Sequence, residues 1–454
     1  MKDSLRNRLP EVEIDDNNPF EGDRLGRAQY ANALTSIVKA YSETGCVLAI
    51  NGEWGTGKTT FVKMWLSHLR QNNYRTIYFN AWETDYVSDP LVALVGELKG
   101  IIGDNEKYRE ISSKIGKILV SVGKFALKQT TGIDADDIAD IFKKDLEDYA
   151  EQKTTFEEFK NAIIEYVASG TENDELPVVF AIDELDRCNP HYAVKVLERV
   201  KHLFDIPNII FVLPICKSQL EYAIQGFYGS DKIDAANYLR RFIDVEFELP
   251  APDYKTFTEY LYNRHHFESY FQRQTQDMRG EEAFKIFTEK LCRCTGMELR
   301  TMDKVFVLCR LVATQVHGLC AQDMDWIFLL CFIKLQHYDL YYRIRKHDLT
   351  LQQLLEEIER VFPKQLLTEK DSYEYDYHTF IYALAPFFYV YDRSDGAKHE
   401  KGVLPSRNDP EMKLKCNVID AEKLQEALIS AYSVHTRWTT FKEISDRIDL
   451  LRIH

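Results

Sequence analysis

The chain has 454 residues, 45% hydrophobic and 28% charged, which is ordinary for a globular protein long enough to bury a core and hold two or three domains. Its 57 lysines and arginines stand against 72 acids, a net charge of −15, and this excludes a generic polyanion binder. The nine cysteines are scattered; Cys292-Arg293-Cys294 is the one close pair and has no second pair at zinc spacing, so reduced thiols are expected. The N-terminal residues carry no signal-peptide apolar core, and no apolar run reaches the roughly 20 residues needed to span a bilayer. A cytoplasmic location is the expectation.

Residues 1–28 are polar and read as an irregular arm. Gln29 to Tyr41 has helical apolar spacing through Tyr30, Ala33, Leu34, Ile37, Val38 and Tyr41. Val47-Leu48-Ala49-Ile50 reads as a buried strand and Thr60 to Leu66 as a helix. Arg75 to Trp82 is a second strand, and a largely helical insertion follows at about 91–169. Pro177 to Ile182 is a third strand, with a helix from about Ala193 to Phe204 leading to a fourth, Asn208 to Leu213. Asp244 to Leu249 makes the fifth and stops at Pro250. Apolar strands alternating with helices indicate a parallel sheet covered on both faces, with ligands at the carboxyl ends of its strands. From Pro252 helical patterns dominate. Trp326 to Ile333 and Thr379 to Tyr391, the latter containing Pro386, read as core segments; Asp392 to Pro410 is loop-like and Ala421 to Leu451 helical. The expected domains are an arm at 1–28, a nucleotide-binding core at 29–252, a helical lid at 253–362 and a mostly helical region at 363–454.

Gly52-Glu53-Trp54-Gly55-Thr56-Gly57-Lys58-Thr59 fits G-x-x-x-x-G-K-[ST] between a strand and a helix. Glycines let consecutive N–H groups turn inward at phosphate oxygens, and the helix N-terminus, which includes Thr60, adds partial positive charge. Lys58 is expected to reach the β- and γ-phosphates and Thr59 to ligate Mg²⁺. Val179-Phe180-Ala181-Ile182-Asp183-Glu184 completes the site as an apolar strand ending in paired acids. Asp183 is assigned to the metal and Glu184 to the attacking water, because hydrolysis needs a base near the γ-phosphate. Arg240 and Arg241, before the fifth strand, are candidate arginine fingers, and Arg300, opening a later helix, is a candidate lid arginine. For each of the three a surface ion pair is the competing reading. Arg187 is either half of a local ion pair or a residue facing a neighbouring subunit's nucleotide.

Together these features resemble the KAP family of P-loop NTPases. The resemblance rests on Asp23-Arg24-Leu25-Gly26-Arg27, the GEWGTGKT loop, Phe79-Asn80-Ala81-Trp82 and Asp183-Glu184-Leu185-Asp186-Arg187-Cys188, and covers about Asn18 to Arg310. It implies an α/β fold: an additional-strand P-loop ATPase core of the ASCE type, strand order 5-1-4-3-2, with a helical lid and, beyond it, the helical C-terminal region. It also implies ATP and Mg²⁺ as cofactors, ATP hydrolysis, and a role in prokaryotic antiviral (phage) defence, with other members tied to the inner face of membranes. The chain departs from the family by having no spanning segment in the insertion, and by placing Cys216 and Lys217 where an acid usually follows the fourth strand.

Within the insertion, residues 111–128 form a basic amphipathic pattern. Ile111, Ile115, Ile118, Leu119, Val122, Phe125 and Ala126 share one face, flanked by Lys114, Lys117, Lys124 and Lys128. Such a helix either lies on an anionic membrane surface or packs its apolar face on the core. Gly116 and Gly123 each weaken an isolated helix by about 1 kcal/mol, which favours packing. The expected function is an ATPase driving a conformational or assembly switch; the alternative is a nucleotide-gated scaffold with little turnover. A homo-oligomer or a partner protein from the same system is expected, with nucleic acid reached only through a partner.

Overall fold

The computed structural model describes residues 12–87, a few positions between 90 and 164, and residues 176–451 except 202–205, 275–277, 317–318, 320, 369–378, 395–397, 399–401, 407–408 and 435–439. The insertion, including 111–128, lies almost wholly outside the described residues. The chain divides into two units, Val12–Ala251 and Pro252–His454.

The first unit is built on five parallel strands: β1 (Cys46–Asn51), β2 (Thr76–Asn80), β3 (Val178–Asp183), β4 (Ile209–Ile215) and β5 (Val245–Glu248). Their order is β2-β3-β4-β1-β5, the order that the family resemblance implies. The three central strands are unbroken apolar runs because both faces are covered. The edge strands β2 and β5 alternate instead, and β5 turns Glu246 and Glu248 to solvent, which blunts an exposed edge.

Side chains leave successive strand residues on opposite faces, so the strands feed two cores. Leu48, Ile50, Val179, Ala181, Ile210 and Val212 pack under α1 (Ala28–Ala40) and α2 (Lys58–Gln71). Val47, Ala49, Phe180, Ile182, Phe211 and Leu213 pack under α3 (Pro190–Lys201) and α4 (Lys217–Tyr228). A short α5 (Ala235–Leu239) precedes β5. The Phe180 and Phe211 rings lie 5.5 Å apart between neighbouring strands and both are buried. Phe180→Ala is expected to destabilise the protein by about 3–5 kcal/mol, read as a lower denaturant midpoint at unchanged slope.

Two strands end differently from the sequence expectation. β2 stops at Asn80 because Trp82–Thr84 turns into a 3₁₀ helix, with the Trp82 N–H donating to Asn80 Oδ1 at 3.1 Å. β4 runs on through Pro214 to Ile215. The β3 ladder ends opposite Val212, and Ile215 O accepts from Gly52 N on the β1 side. Backbone groups alternate along a strand, so the N–H that Pro214 lacks would point where β3 has already ended.

The second unit is helical in its described residues: α6 (Tyr254–Arg264), α7 (Phe267–Gln274), α8 (Met278–Cys294), α9 (Leu299–Gln315), α10 (Ala321–Gln336), α11 (Tyr338–Arg345), α12 (Leu351–Val361), α13 (Lys364–Thr368), α14 (Thr379–Asp392), α15 (Ala421–Val434) and α16 (Phe441–Leu450). Both expected core segments are there: Trp326 to Ile333 is buried within α10, and Phe380 to Tyr391 lies almost entirely buried in α14 around Pro386. Two buried phenols of α14 are satisfied, Tyr389 by Pro405 O at 2.6 Å and Tyr391 by Leu349 O at 2.8 Å. Among the described residues no helix is long and apolar enough to cross a membrane, and the cysteines are free thiols.

Candidate functional site

The carboxyl ends of β1, β3 and β4 meet at the loop from Gly52 to Gly57. Gly55 and Gly57 have φ of 74° and 84°, left-handed values that favour glycine; Gly57 is the motif's second glycine and Gly55 falls at one of its variable positions. Gly57 leads directly into α2, whose first residues are Lys58, Thr59 and Thr60. Glu53 and Trp54 are exposed on the loop, and Thr56 Oγ1 donates to Glu53 O at 2.7 Å, bracing the turn. The Lys58 ammonium donates to Gly52 O at 2.6 Å and Glu53 O at 3.0 Å. Burial pulls its pKa below the usual lysine range, and the Asp186 and Asp183 carboxylates oppose that shift.

Opposite the loop, β3 delivers Asp183 and Glu184, only 1% and 8% exposed. Asp183 accepts from Tyr78 Oη at 2.9 Å and from the Glu184 N–H at 2.8 Å. Burial first, and the Glu184 charge second, push the Asp183 carboxyl up to about 6. Burial and Asp183 likewise raise Tyr78, which keeps that phenol a donor. Glu184 sits at φ 61°, a left-handed conformation that costs a non-glycine residue about 1–3 kcal/mol and marks a site under constraint. Its Oε1 accepts from Thr59 Oγ1 at 2.9 Å, which joins the two motifs across the site.

The 3₁₀ turn Leu185–Arg187 adds contacts that the sequence reading missed. Asp186 Oδ2 accepts from Trp54 Nε1 on the phosphate loop at 2.6 Å and from Cys216 N at the tip of β4 at 3.0 Å. One carboxylate thus ties three strand tips together. Arg187 Nε lies 2.6 Å from Glu184 Oε2, and its guanidinium lies 5.8 Å from the Trp82 ring centroid. Of the two readings of Arg187, the structure shows the local ion pair. The D-E-L-D-R-C string carried a signal for these contacts, because its charges fall on consecutive turn positions beside a paired acid.

Cys216 is buried, 3.5 Å from Glu53 Oε2, and Lys217 pairs with Glu246 at 2.6 Å. The tip of β4 therefore presents a thiol, with its neighbouring ammonium committed to β5.

The arginine candidates lie elsewhere. Arg240 and Arg241 are exposed between α5 and β5, at the amino edge of the sheet. A six-residue strand at about 3.3 Å per residue separates that edge from the phosphate loop of the same chain by roughly 20 Å. Arg241 there lines a cavity of about 560 Å³ with Lys195, Glu198, Arg199, Lys201, Tyr238 and Phe242. Arg300 is exposed on the first turn of α9, in the second unit.

The donor set at Thr59 and Asp183 fits a magnesium ion, which takes hard oxygens from one or two side chains and completes its shell with water and phosphate. Two adjacent buried carboxylates, one of them driven up to about 6, supply the negative field that a divalent cation would relieve. A nucleotide-bound metal there would neutralise charge developing on the phosphates.

Residues 27–358 match the KAP family P-loop domain. A phage T7 exclusion protein of Escherichia coli (strain K12) is 22% identical over 264 residues; the match covers 51% of this chain and 34% of that protein, so the chain spans about a third of the length of this relative. Among solved structures, the Aeropyrum pernix ORC2 protein is similar at 13% identity and a TM-score of 0.39, covering 94% of this chain and 99% of the other. The RuvB protein of Thermotoga maritima is similar at 13% identity and a TM-score of 0.31, covering 78% and 81%.

Proposed function

The chain belongs to the KAP family of P-loop domains, and from that premise we propose that it is an ATPase that hydrolyses ATP with Mg²⁺ to drive a conformational or assembly switch. The observation that carries this reading is the Thr59–Glu184 hydrogen bond: it brings the phosphate-loop helix and the candidate base to one point, beside Lys58 and Asp183. In this reading the loop amides and Lys58 hold the triphosphate, Thr59 and Asp183 hold the ion, and Glu184 orients and deprotonates the attacking water.

Arg240 and Arg241 serve as fingers only toward the nucleotide of a second copy, since they lie at the opposite edge of their own sheet; this supports a homo-oligomer. The phage exclusion protein among its relatives supports a role in antiviral defence. The basic face of 111–128 supports peripheral contact with an anionic membrane, and nucleic acid would be reached through a partner.

Labelled ATP and Mg²⁺ test the reading. Wild-type protein is expected to bind, and Lys58→Ala to lose affinity by about tenfold or more, as one charge-assisted contact to phosphate of about 1.5–3 kcal/mol is removed. Equal binding by the two proteins would remove Lys58 from the site. A second reading, a nucleotide-gated scaffold, is favoured by the thiol at the tip of β4, where a polar sensor would serve turnover. Native mass of Glu184→Gln measured with and without ATP tests the scaffold: it assembles on binding alone, without hydrolysis, and an identical mass in both conditions removes it.

A further inference from the structure

Glu184 is gripped from two sides. Thr59 holds Oε1, while Arg187 lies against Oε2 at 2.6 Å. The guanidinium is in turn flanked by the face of Trp82, an indole 50% exposed on the segment after β2. The cation nearest along the loop, Lys58, is engaged by two backbone carbonyls, so Arg187 is the cation placed against this carboxylate.

Glu184 shares Thr59 with the metal assignment and follows Asp183 directly. A hard divalent ion accepts any carboxylate oxygen within reach. A glutamate free to swing at this position would become a further ligand and be lost to the attacking water. We propose that Arg187 is the positioning residue of Glu184: it holds Oε2 on the Trp82 side of the turn, which reserves the carboxylate for water and keeps it from the divalent ion. The inference rests on the reading of Glu184 as the base. A planar guanidinium suits the task because it pairs with the carboxylate while lying within cation–π range of the indole, 5.8 Å from its centroid.

The test uses the full chain: turnover is measured with ATP and Mg²⁺, and metal affinity with a non-hydrolysable ATP analogue and Mn²⁺ in place of Mg²⁺. For Arg187→Gln, kcat is expected to fall about 10–100-fold, as for a misplaced catalytic group, with the nucleotide Kd essentially unchanged. Mn²⁺ affinity, read by electron paramagnetic resonance, is expected to tighten by about tenfold as Glu184 joins the ion. Arg187→Lys, which keeps the charge but loses the planar fork, is expected to fall between wild type and Arg187→Gln in both measurements; it carries the test by itself if the glutamine variant does not fold. Adding Arg187→Gln to Glu184→Gln is expected to lower kcat no further, because both act through one carboxylate. Unchanged or weaker Mn²⁺ affinity, or losses that multiply in the double variant, would overturn the proposal. If Glu184→Gln hydrolyses ATP at the wild-type rate, the reading of the base fails. If Glu184→Gln is inactive while Arg187→Gln keeps wild-type kcat and Mn²⁺ affinity, the positioning role alone fails.

Discussion

Glu184→Gln is expected to lower the rate of ATP hydrolysis about 10²–10⁴-fold, the contribution of a positioned general base. Glutamine keeps the size of the side chain and an oxygen that accepts from Thr59, so the bridge between α2 and β3 survives. What disappears is the charge that Arg187 faces and the basic oxygen that takes the proton from water. Nucleotide binding should persist, since Lys58 and the loop amides are untouched. Phosphate release in steady state and binding of labelled ATP, measured on the same preparation, check the two halves of the expectation. Hydrolysis at the wild-type rate would place the base on another residue.

Asp183→Asn is expected to have opposite effects on activity and stability. Burial, with Glu184 second, raises the folded-state carboxyl from 3.8 to about 6, while Tyr78, the Glu184 N–H and Thr59 pull the other way. An unfolded chain releases this proton near 3.8, so between pH 4 and pH 6 the folded protein binds more protons than the unfolded one. Stability from this residue therefore falls as pH rises through that window, and the full penalty, about 3 kcal/mol, stands above it. Without divalent ions, at pH 7.5, the asparagine variant is expected to unfold at higher denaturant by about 1–3 kcal/mol; near pH 4 the difference shrinks. Mg²⁺-dependent hydrolysis should be lost in the same protein. A variant less stable than wild type at pH 7.5 would show that the two hydrogen bonds to Asp183 outweigh the buried charge.

Much of this site was legible residue by residue. Gly52 to Thr59 are consecutive, and a loop of this kind is specified by backbone needs within eight positions, so the φ of 84° at Gly57 falls where the motif puts glycine, while Gly55, at one of its variable positions, meets a second left-handed φ of 74°. The strand ending in Asp183 and Glu184 was legible because a strand buried on both faces must be apolar until it reaches the ligand edge. The strand order came from resemblance, since period and composition do not say which parallel strands are neighbours. That β4 continues through Pro214 was not legible, because the cost of a missing N–H depends on whether a strand lies beside it, which is not local information.

The chain's own letters determined the class of ligand, the acids and the cation that would meet it, and the apolar runs that form the sheet, because each rests on short-range chemistry. Tertiary structure alone decided that Thr59 meets Glu184 and that Asp186 joins Trp54 to Cys216. Those pairings join residues from different strand tips. Contacts of that kind are set by the packing of the whole sheet, and spacing along the chain does not encode them.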